Sequence, residues 1–304
     1  MPPLIPRLAL LLAICSTPSV AAEPPRVIVS IAPIHSLVTG IMAGVSEPEL
    51  LIKASYDPHS YILKPSQMSA LQHADIIIWI GETVESYLAK TLLAVGTGSR
   101  IIKLTVLPHI RQLPARKGGL WTTHEDEHGH AGHENIDGHI WLDIDNASEI
   151  TRTLVVALSE LDPLHQSVYQ HNGQQILQRL DALDQEIHTT LAPVKTRPYM
   201  VLHDAFQYFE ARYQLNAVGA ISVDPERRPG ARRLSEIRHR IEANQIVCLF
   251  SQPQFNNEIV RMLIKDTRVK SASQDNLGGE FPPGPELYFD MMRQLAKNLN
   301  ACLS

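Results

Sequence analysis

The stretch PLHQSVYQHNGQQILQRLDALDQEIHTTLAPV, residues 163–194, decides the architecture of this chain. Its apolar residues recur every three or four positions, which predicts one buried face of a helix: Ile176, Leu180, Leu183, Ile187 and Leu191. Pro163 suits the first helical turn and Pro193 suits the stop. A helix of about 30 residues would be roughly 45 Å long, which exceeds the width of a small lobe. It is most simply a strut between two lobes.

Short apolar runs alternate with helix-like segments on both sides of this strut. Apolar runs of this kind predict parallel strands that are buried on both faces. The runs are RVIVSIA (26–32), ELLIKAS (49–55), IIIWIG (76–81), IIKLT (101–105), YMVL (199–202), NAVGAIS (216–222) and IVCLFS (246–251). We therefore expect an α/β fold with two (β/α) lobes, residues 26–160 and 194–304, joined by one long rigid helix over residues 161–193.

The N-terminus has the pattern of an export signal. Arg7 precedes the apolar run LALLLAIC (8–15) and the small residues STPSVAA (16–22). The apolar run is shorter than the roughly 20 residues needed to span a bilayer. We expect residues 1–22 to be a signal peptide that is cleaved near residues 21–22. Lipidation of Cys15 is the alternative, although Ile14 is bulky where a small residue is preferred.

Charge and cysteine content narrow the class of protein further. The net charge is −5 and there is no basic stripe with interleaved aromatic residues, so we expect no nucleic-acid partner. Once the signal is removed, Cys248 and Cys302 remain as an even pair in an oxidising compartment. A disulfide and two buried thiols are both compatible with this pattern. No serine or cysteine lies in a setting that indicates a catalytic nucleophile.

A histidine-rich tract, HEDEHGHAGHENIDGHIWLD (124–143), begins with an H-E-x-x-H pattern. In a zinc peptidase that pattern lies on a helix, but the neighbours here are polar or glycine, which predicts a loop over residues 122–138. We expect a secondary, low-affinity metal site formed by His124, His128, His130 and His133. Two alternatives stay open: a solvated acidic loop, and a secreted zinc hydrolase that uses Glu125 as its base.

Three other histidines lie where a strand or an ordered segment meets a turn: His59, His139 and His203. Ligands of α/β sheets bind at the carboxyl ends of strands, which fits His59 and His203 in different lobes. Asp204 is expected to cap the next helix. The remaining histidines outside the tract are expected at the surface: His35, His73, His109, His165, His171, His188 and His239. Of these, His35 is kept as a further candidate ligand.

Five segments, in this order, resemble the metal-binding periplasmic proteins of ABC importers, most closely the zinc-specific ZnuA type. They are DPHSYILKPS (57–66), GHIWLD (138–143), VLHDAFQYFEARYQL (201–215), DPERRPGARRLSEIR (224–238) and CLFSQPQFN (248–256). The similarity runs from about Val27 to Cys302. It implies a metal in the cleft between two lobes, a monomeric periplasmic protein that is not an enzyme, and delivery of Zn²⁺ to an inner-membrane ABC permease.

The resemblance also implies the metal ligands, which fall on His59, His139 and His203. The fourth ligand matches Asp275 or is a water, with Glu280 less favoured. The glutamate that some relatives carry before the first histidine is Pro58 here, which has no ligand atom. Three imidazoles favour zinc over the harder manganese, and Mn²⁺ or Fe²⁺ remains the alternative cargo. The ordinary histidine pKa predicts that affinity falls below about pH 6.

The paired cysteines of the zinc branch match Cys248 and Cys302, so the resemblance implies a disulfide between them.

Overall fold

The computed structural model describes residues 23–95, 98–117, 119–121, 136–222, 229–243 and 245–304. The expected signal peptide with Cys15, and the tract from 122 to 135, lie outside these described residues. Within them, no helix combines the length and apolar character that crossing a membrane requires.

Two four-stranded sheets form the frame of the molecule, and every strand pair is parallel. The strand orders are β2-β1-β3-β4 and β6-β5-β7-β8. The strands are β1 Val27–Ile31, β2 Glu49–Ile52, β3 Ile76–Trp79, β4 Arg100–Lys103, β5 Tyr199–His203, β6 Ala217–Ser222, β7 Cys248–Ser251 and β8 Lys270–Ser273. The central strands β1, β3 and β5 are buried along their whole length, as their apolar sequences predict.

Helices connect and cover the strands, so each half is built from β/α units. They are α1 Ala32–Ile41, α2 Pro65–Gln72, α3 Ser86–Val95, α4 Ile144–Leu161, α5 Gln166–Leu191, α6 Gln207–Tyr213, α7 Ala231–Glu242, α8 Glu258–Ile264 and α9 Leu287–Leu303. Short 3₁₀ helices lie at Leu104–Val106, Gly119–Trp121, Ile140–Leu142 and Pro163–His165. The expectation of two α/β lobes with a long helix is confirmed.

Helix α5 is the predicted strut, and its apolar stripe is confirmed. The five stripe residues from Ile176 to Leu191 are all buried. The helix has 26 residues, so it is about 39 Å long at about 1.5 Å per residue. It is shorter than predicted because Pro163–His165 forms a separate 3₁₀ turn. Its buried face packs against α1, α4 and α9.

The C-terminal helix α9 ties the two halves together. It packs against α1 and α5 as well as against β8 of its own half. The backbone N–H of Tyr288 donates to Ser36 Oγ at 3.0 Å, and its hydroxyl donates to the carbonyl of Trp141 at 2.8 Å. The Trp141 indole donates to the carbonyl of Asn276 at 2.8 Å. Apolar residues of both halves therefore belong to one continuous core.

Replacement of Leu180 by alanine tests the role of the strut. Leu180 is fully buried in α5, and removal of such a side chain costs about 2–5 kcal/mol of the free energy of unfolding. We expect Leu180→Ala to lower that free energy by this amount in urea unfolding. Gln178→Ala, on the exposed face of the same helix, should stay within about 0.5 kcal/mol of wild type. Equal effects of the two variants would contradict the packing described.

Candidate metal centre

Three separate segments bring His59, His139 and His203 to one place. His203 is the last residue of β5, and His139 directly precedes the 3₁₀ helix Ile140–Leu142. His59 lies in the loop between β2 and α2, where its backbone N–H donates to Asp57 Oδ1 at 3.0 Å. One ring nitrogen of each histidine lies within 4.8 Å of the other two. Donors from both halves of the chain therefore converge.

The spacing of these rings suits a small tetrahedral ion. Their centroids are 5.3–5.4 Å apart, and Nε2 of His59 lies 3.4 Å from Nε2 of His139. Zinc binds imidazole nitrogen at about 2.0–2.1 Å, so two nitrogens of a tetrahedral site are about 3.3 Å apart. Among the described residues, these three form the group of His, Cys, Asp and Glu side chains that could hold a metal ion.

Asp137 orients the His139 ring. Its Oδ1 accepts hydrogen bonds from His139 Nδ1 at 2.7 Å and from the His139 backbone N–H at 2.9 Å. With the proton on Nδ1, the lone pair of Nε2 faces the other two rings, as in many zinc sites. Tyr208 of α6 donates its hydroxyl to the Asp137 carbonyl at 2.9 Å. A residue of the second half thus fixes the loop that carries His139.

Gly138 lets this loop approach the end of β3 closely. A Cβ atom at Gly138 would lie 2.4 Å from Thr83 Oγ1 and 2.6 Å from a Val84 methyl carbon. The backbone between Asp137 and His139 therefore requires glycine, which fixes the depth at which His139 enters the site.

Burial keeps His59 and His203 in the neutral form that binds metals. Burial, together with a smaller effect of the neighbouring His139, lowers the pKa of His59 to about 3. Burial, followed by His139 and His59, also places the pKa of His203 well below its usual value. Protons therefore compete for the nitrogens of His59 and His203 in the folded protein at a lower pH than the value near 6 that the ordinary histidine pKa predicts.

The structure does not bring Asp275 or Glu280 into this group of histidines. The Asp275 carboxylate accepts hydrogen bonds from the backbone N–H groups of Leu277 at 3.0 Å, Gly278 at 3.1 Å and Gly279 at 2.6 Å. It also accepts from an amide side chain, Gln254 Nε2, at 2.8 Å. It caps its own loop, and Glu280 is exposed to solvent.

Several residues that the sequence analysis did not single out line the pocket. Beside the histidines these are Asp57, Pro58, Gln252, Gln254, Phe255, Asn276 and Leu277. Phe255 lies edge-on to the His203 ring, with the centroids 5.9 Å apart. The segment SQPQFN after β7 supplies three of them. Its position at the carboxyl end of a strand adjacent to β5 is the signal that could have identified it.

Asp204 does not cap α6 as the sequence suggested. The helix begins at Gln207, and the Asp204 carboxylate instead accepts hydrogen bonds from Arg116 Nε at 3.0 and 3.1 Å. Arg116 Nη1 also donates to the buried Glu210 at 2.6 Å. Because Arg116 precedes the histidine-rich tract, this network joins the base of the tract to the segment that follows His203.

The described residues on both sides of segment 122–135 are held by contacts with the rest of the chain. Before it, Leu120 is buried in a core cluster of the second half, where a Cβ on Gly219 would lie 2.4 Å from Leu120 Cβ. After it, Ile136 forms an isolated antiparallel bridge with Pro114. The predicted low-affinity ligands His124, His128, His130 and His133, and Glu125, lie outside the described residues.

Two further sequence predictions have clear outcomes. A disulfide joins Cys248 at the start of β7 to Cys302 in α9, across a sequence separation of 54 residues. The prediction that His35 lies at the surface is wrong. His35 is buried, and its Nε2 hydrogen-bonds the Pro48 carbonyl at 3.0 Å. It takes no part in the group formed by the other three histidines.

Comparison with known proteins supports the resemblance seen in the sequence. The family model for ZnuA, the periplasmic component A of the zinc-uptake complex, matches residues 27–302. The chain belongs to the ZnuA family. The high-affinity zinc uptake system protein ZnuA of Brucella suis biovar 1 is 36% identical over 97% of this chain and 96% of its own length. The protein of the same name from Yersinia pestis is 31% identical over 91% of each chain.

A crystal structure of ZnuA has the same fold as this member of the family. It superposes with a TM-score of 0.78 at 23% identity, over 93% of this chain and 100% of that one.

The lowered pKa values predict how acid acts on the metal-free protein. Unfolded histidines titrate near 6.5, whereas the folded pKa of His59 is about 3 and that of His203 is also lowered. Between these values the unfolded chain binds protons that the folded chain does not. The stability that the neutral imidazoles contribute is thus present above pH 6.5 and is lost as the pH falls toward 3.

The test is to measure the free energy of unfolding of metal-free wild type and His203→Asn in urea at pH 7.5, 6 and 5, and to compare the two proteins at each pH. The difference removes the opposite effect of Glu85, a carboxyl whose pKa burial raises to about 7. We expect wild type to lose more stability than His203→Asn as the pH falls. His171→Asn, an exposed change on α5, should follow wild type. Parallel curves for wild type and His203→Asn would refute the expected effect.

Proposed function

We propose that this chain is a periplasmic solute-binding protein that captures Zn²⁺ with high affinity and delivers it to an inner-membrane ABC permease. One observation carries the proposal: three imidazoles from distant parts of the chain, two of them with lowered pKa values, converge within 4.8 Å. Membership of the ZnuA family supports it, because the matched relatives are named high-affinity zinc uptake proteins.

His59, His139 and His203 would bind the ion through ring nitrogens, and a water would complete the tetrahedron. Water is a better candidate than Asp275, whose carboxylate already accepts three backbone N–H groups and Gln254. To bind the ion, Asp275 would have to give up hydrogen bonds that hold its loop. Because a bound water exchanges readily, this fourth position would also give a group of the partner a place to enter during release.

The donor set favours zinc over manganese. Neutral imidazoles bind borderline metals well, whereas the harder Mn²⁺ prefers carboxylate and other oxygen ligands. The carboxylate nearest to the rings, Asp137, is engaged with His139 on the side away from the other two histidines. Competition dialysis against equal Zn²⁺ and Mn²⁺ distinguishes the two possible cargoes.

The proposal includes the expected route and organisation of the chain. Residues 1–22 would direct export and be removed near residues 21–22, and Cys15 would leave with them. The mature chain would act as a monomer with lobes 26–160 and 194–304 and the linking segment 161–193. The charge and hydropathy pattern of the N-terminus supports export, and the disulfide fits an oxidising compartment.

Single alanine variants of the three histidines test the metal site. Changing a partner outside the coordination sphere lowers metal affinity by about 10–100-fold, and loss of a ligand should exceed 100-fold. We therefore expect His59→Ala, His139→Ala and His203→Ala each to weaken Zn²⁺ binding by more than about 100-fold in a chelator-competition assay. His73→Ala, on an exposed residue after α2, is the control. Wild-type affinity in any two of the histidine variants would refute the site.

Replacement of residues 122–135 by a short Gly-Ser linker tests the role of the histidine-rich tract. Because the cleft ligands lie outside this segment, we expect cleft affinity to change by less than about threefold while weaker zinc equivalents disappear. Isothermal titration measures both. The replacement also removes Glu125, so a zinc-dependent peptidase activity present in wild type and absent in the variant would support the hydrolase alternative. Loss of high-affinity binding would show that the tract is part of the main site.

A further inference from the structure

Gln252 lies beside His203 at the carboxyl end of the second sheet. Strands β5 and β7 are parallel neighbours, with Val201 paired to Phe250. If this register is extended by two positions, Gln252, which directly follows the end of β7 at Ser251, matches His203. Side chains at matching positions of adjacent parallel strands point to the same face of the sheet. Both residues line the metal pocket, as this placement requires.

The Gln252 side chain has a carbonyl oxygen that no other described residue uses. The residue is only 1% exposed, and its Nε2 donates to Asn276 Oδ1 at 3.3 Å. Its Oε1 is buried and has no hydrogen-bond partner among the described residues. Buried carbonyl oxygens are nearly always hydrogen-bonded, because burial removes the water that would otherwise donate to them. This atom is therefore suited to a donor that arrives with the metal.

The other polar groups of the pocket wall are more strongly engaged. Asp57 accepts from the backbone of His59 and from Ser60 Oγ within its own turn. Gln254 also has an unpartnered Oε1, but its Nε2 holds Ala54 and Asp275, and the residue is only half-buried. Gln252 thus combines full burial, proximity to His203 and an available acceptor.

We propose that Gln252 positions the water that is the fourth ligand of the zinc site. The side-chain carbonyl oxygen of Gln252 accepts a hydrogen bond from this water. The inference rests on the proposed zinc function. The water would bind Zn²⁺ through oxygen, with one of its hydrogens directed at Gln252 Oε1. A neutral amide fixes this water without adding a negative charge beside the cation, so the position stays exchangeable.

The test compares Gln252→Met, which keeps the side-chain length but removes the acceptor, with Gln274→Met. Gln274 is a matched control because it follows β8 at the position adjacent to Gln252, is 2% exposed and also has an unpartnered Oε1. It lines a different, apolar cavity. In full-length mature protein, we expect Gln252→Met to weaken Zn²⁺ binding by about 10-fold or more, as for other outer partners. Gln274→Met should change it by less than about threefold.

Gln252→Glu is the rescuing variant, because a carboxylate oxygen can accept the same hydrogen bond. We expect Zn²⁺ affinity at or above that of wild type. The visible absorption of bound Co²⁺, used as a spectroscopic substitute for zinc, should change in Gln252→Met and stay the same in Gln274→Met. If Gln252→Met does not fold, as judged by circular dichroism, Gln252→Glu decides: affinity 10-fold below wild type would overturn the proposal.

Other outcomes separate this inference from the proposed function. Unchanged zinc affinity and Co²⁺ spectrum in Gln252→Met, together with loss of binding in His203→Ala, would overturn the role of Gln252 and keep the zinc site. A zinc-bound crystal structure with Gln252 Oε1 itself within coordination distance of the metal would overturn the water-mediated arrangement. Absence of high-affinity binding in wild type would refute the proposed function, and the Gln252 inference with it.

Discussion

The rings of His59, His139 and His203 face one another away from water, and the rest of the fold has to hold them in this arrangement. The rings approach to 5.3–5.4 Å between centroids, and a proton on one of them would place a cation in a buried pocket beside its neighbours. Burial therefore keeps His59 and His203 neutral. The same burial that makes protonation costly leaves lone pairs directed at a common point.

Holding those rings in place requires the two halves of the chain to be fixed against each other. The long helix α5 does part of this, but the contacts that cross between the halves do more. Arg116 pairs with Asp204 and Glu210, Leu120 inserts beneath Gly219, and the Trp141 indole donates to Asn276. Of the residues in these contacts, Asp204 directly follows His203 in the chain, and the Trp141 ring lies 5.2 Å from the His139 ring between centroids. The positions of two of the three proposed ligands are therefore set by tertiary packing rather than by their local sequence.

The helices and strands could be predicted well because the spacing of apolar residues along the sequence indicates directly which side chains are buried. The α5 stripe and the apolar strand runs are local patterns, and each is buried as expected. The convergence of the three histidines followed from a resemblance, since nothing local shows that residues 59, 139 and 203 meet. Asp204 shows where local rules fail. It satisfies the composition of a helix cap, yet an ion pair with Arg116, 88 residues away in sequence, is the interaction that forms.

Asp275 and Gln252 show the same limit at the site itself. A carboxylate is a good ligand type, so sequence reasoning favours it, but backbone N–H groups that become available only in the folded loop already occupy Asp275. A glutamine such as Gln252 is not singled out by sequence reasoning, because its neutral amide is not a typical metal ligand. Its importance here depends on strand register and on an acceptor left without a donor, and both are properties of the folded chain.

The charge balance around the pocket follows from this choice of side chains. Three neutral imidazoles and a neutral amide do not offset the charge of a divalent cation. The nearby carboxylates are engaged with other side chains: Asp137 hydrogen-bonds the His139 ring, and Asp204 forms an ion pair with Arg116. In the proposed site, binding strength would then come mainly from nitrogen–metal bonds rather than from neutralisation of charge. Such bonds are strong for borderline ions and weak for hard ones, so the absence of a charged ligand among the converging described residues is itself a source of selectivity.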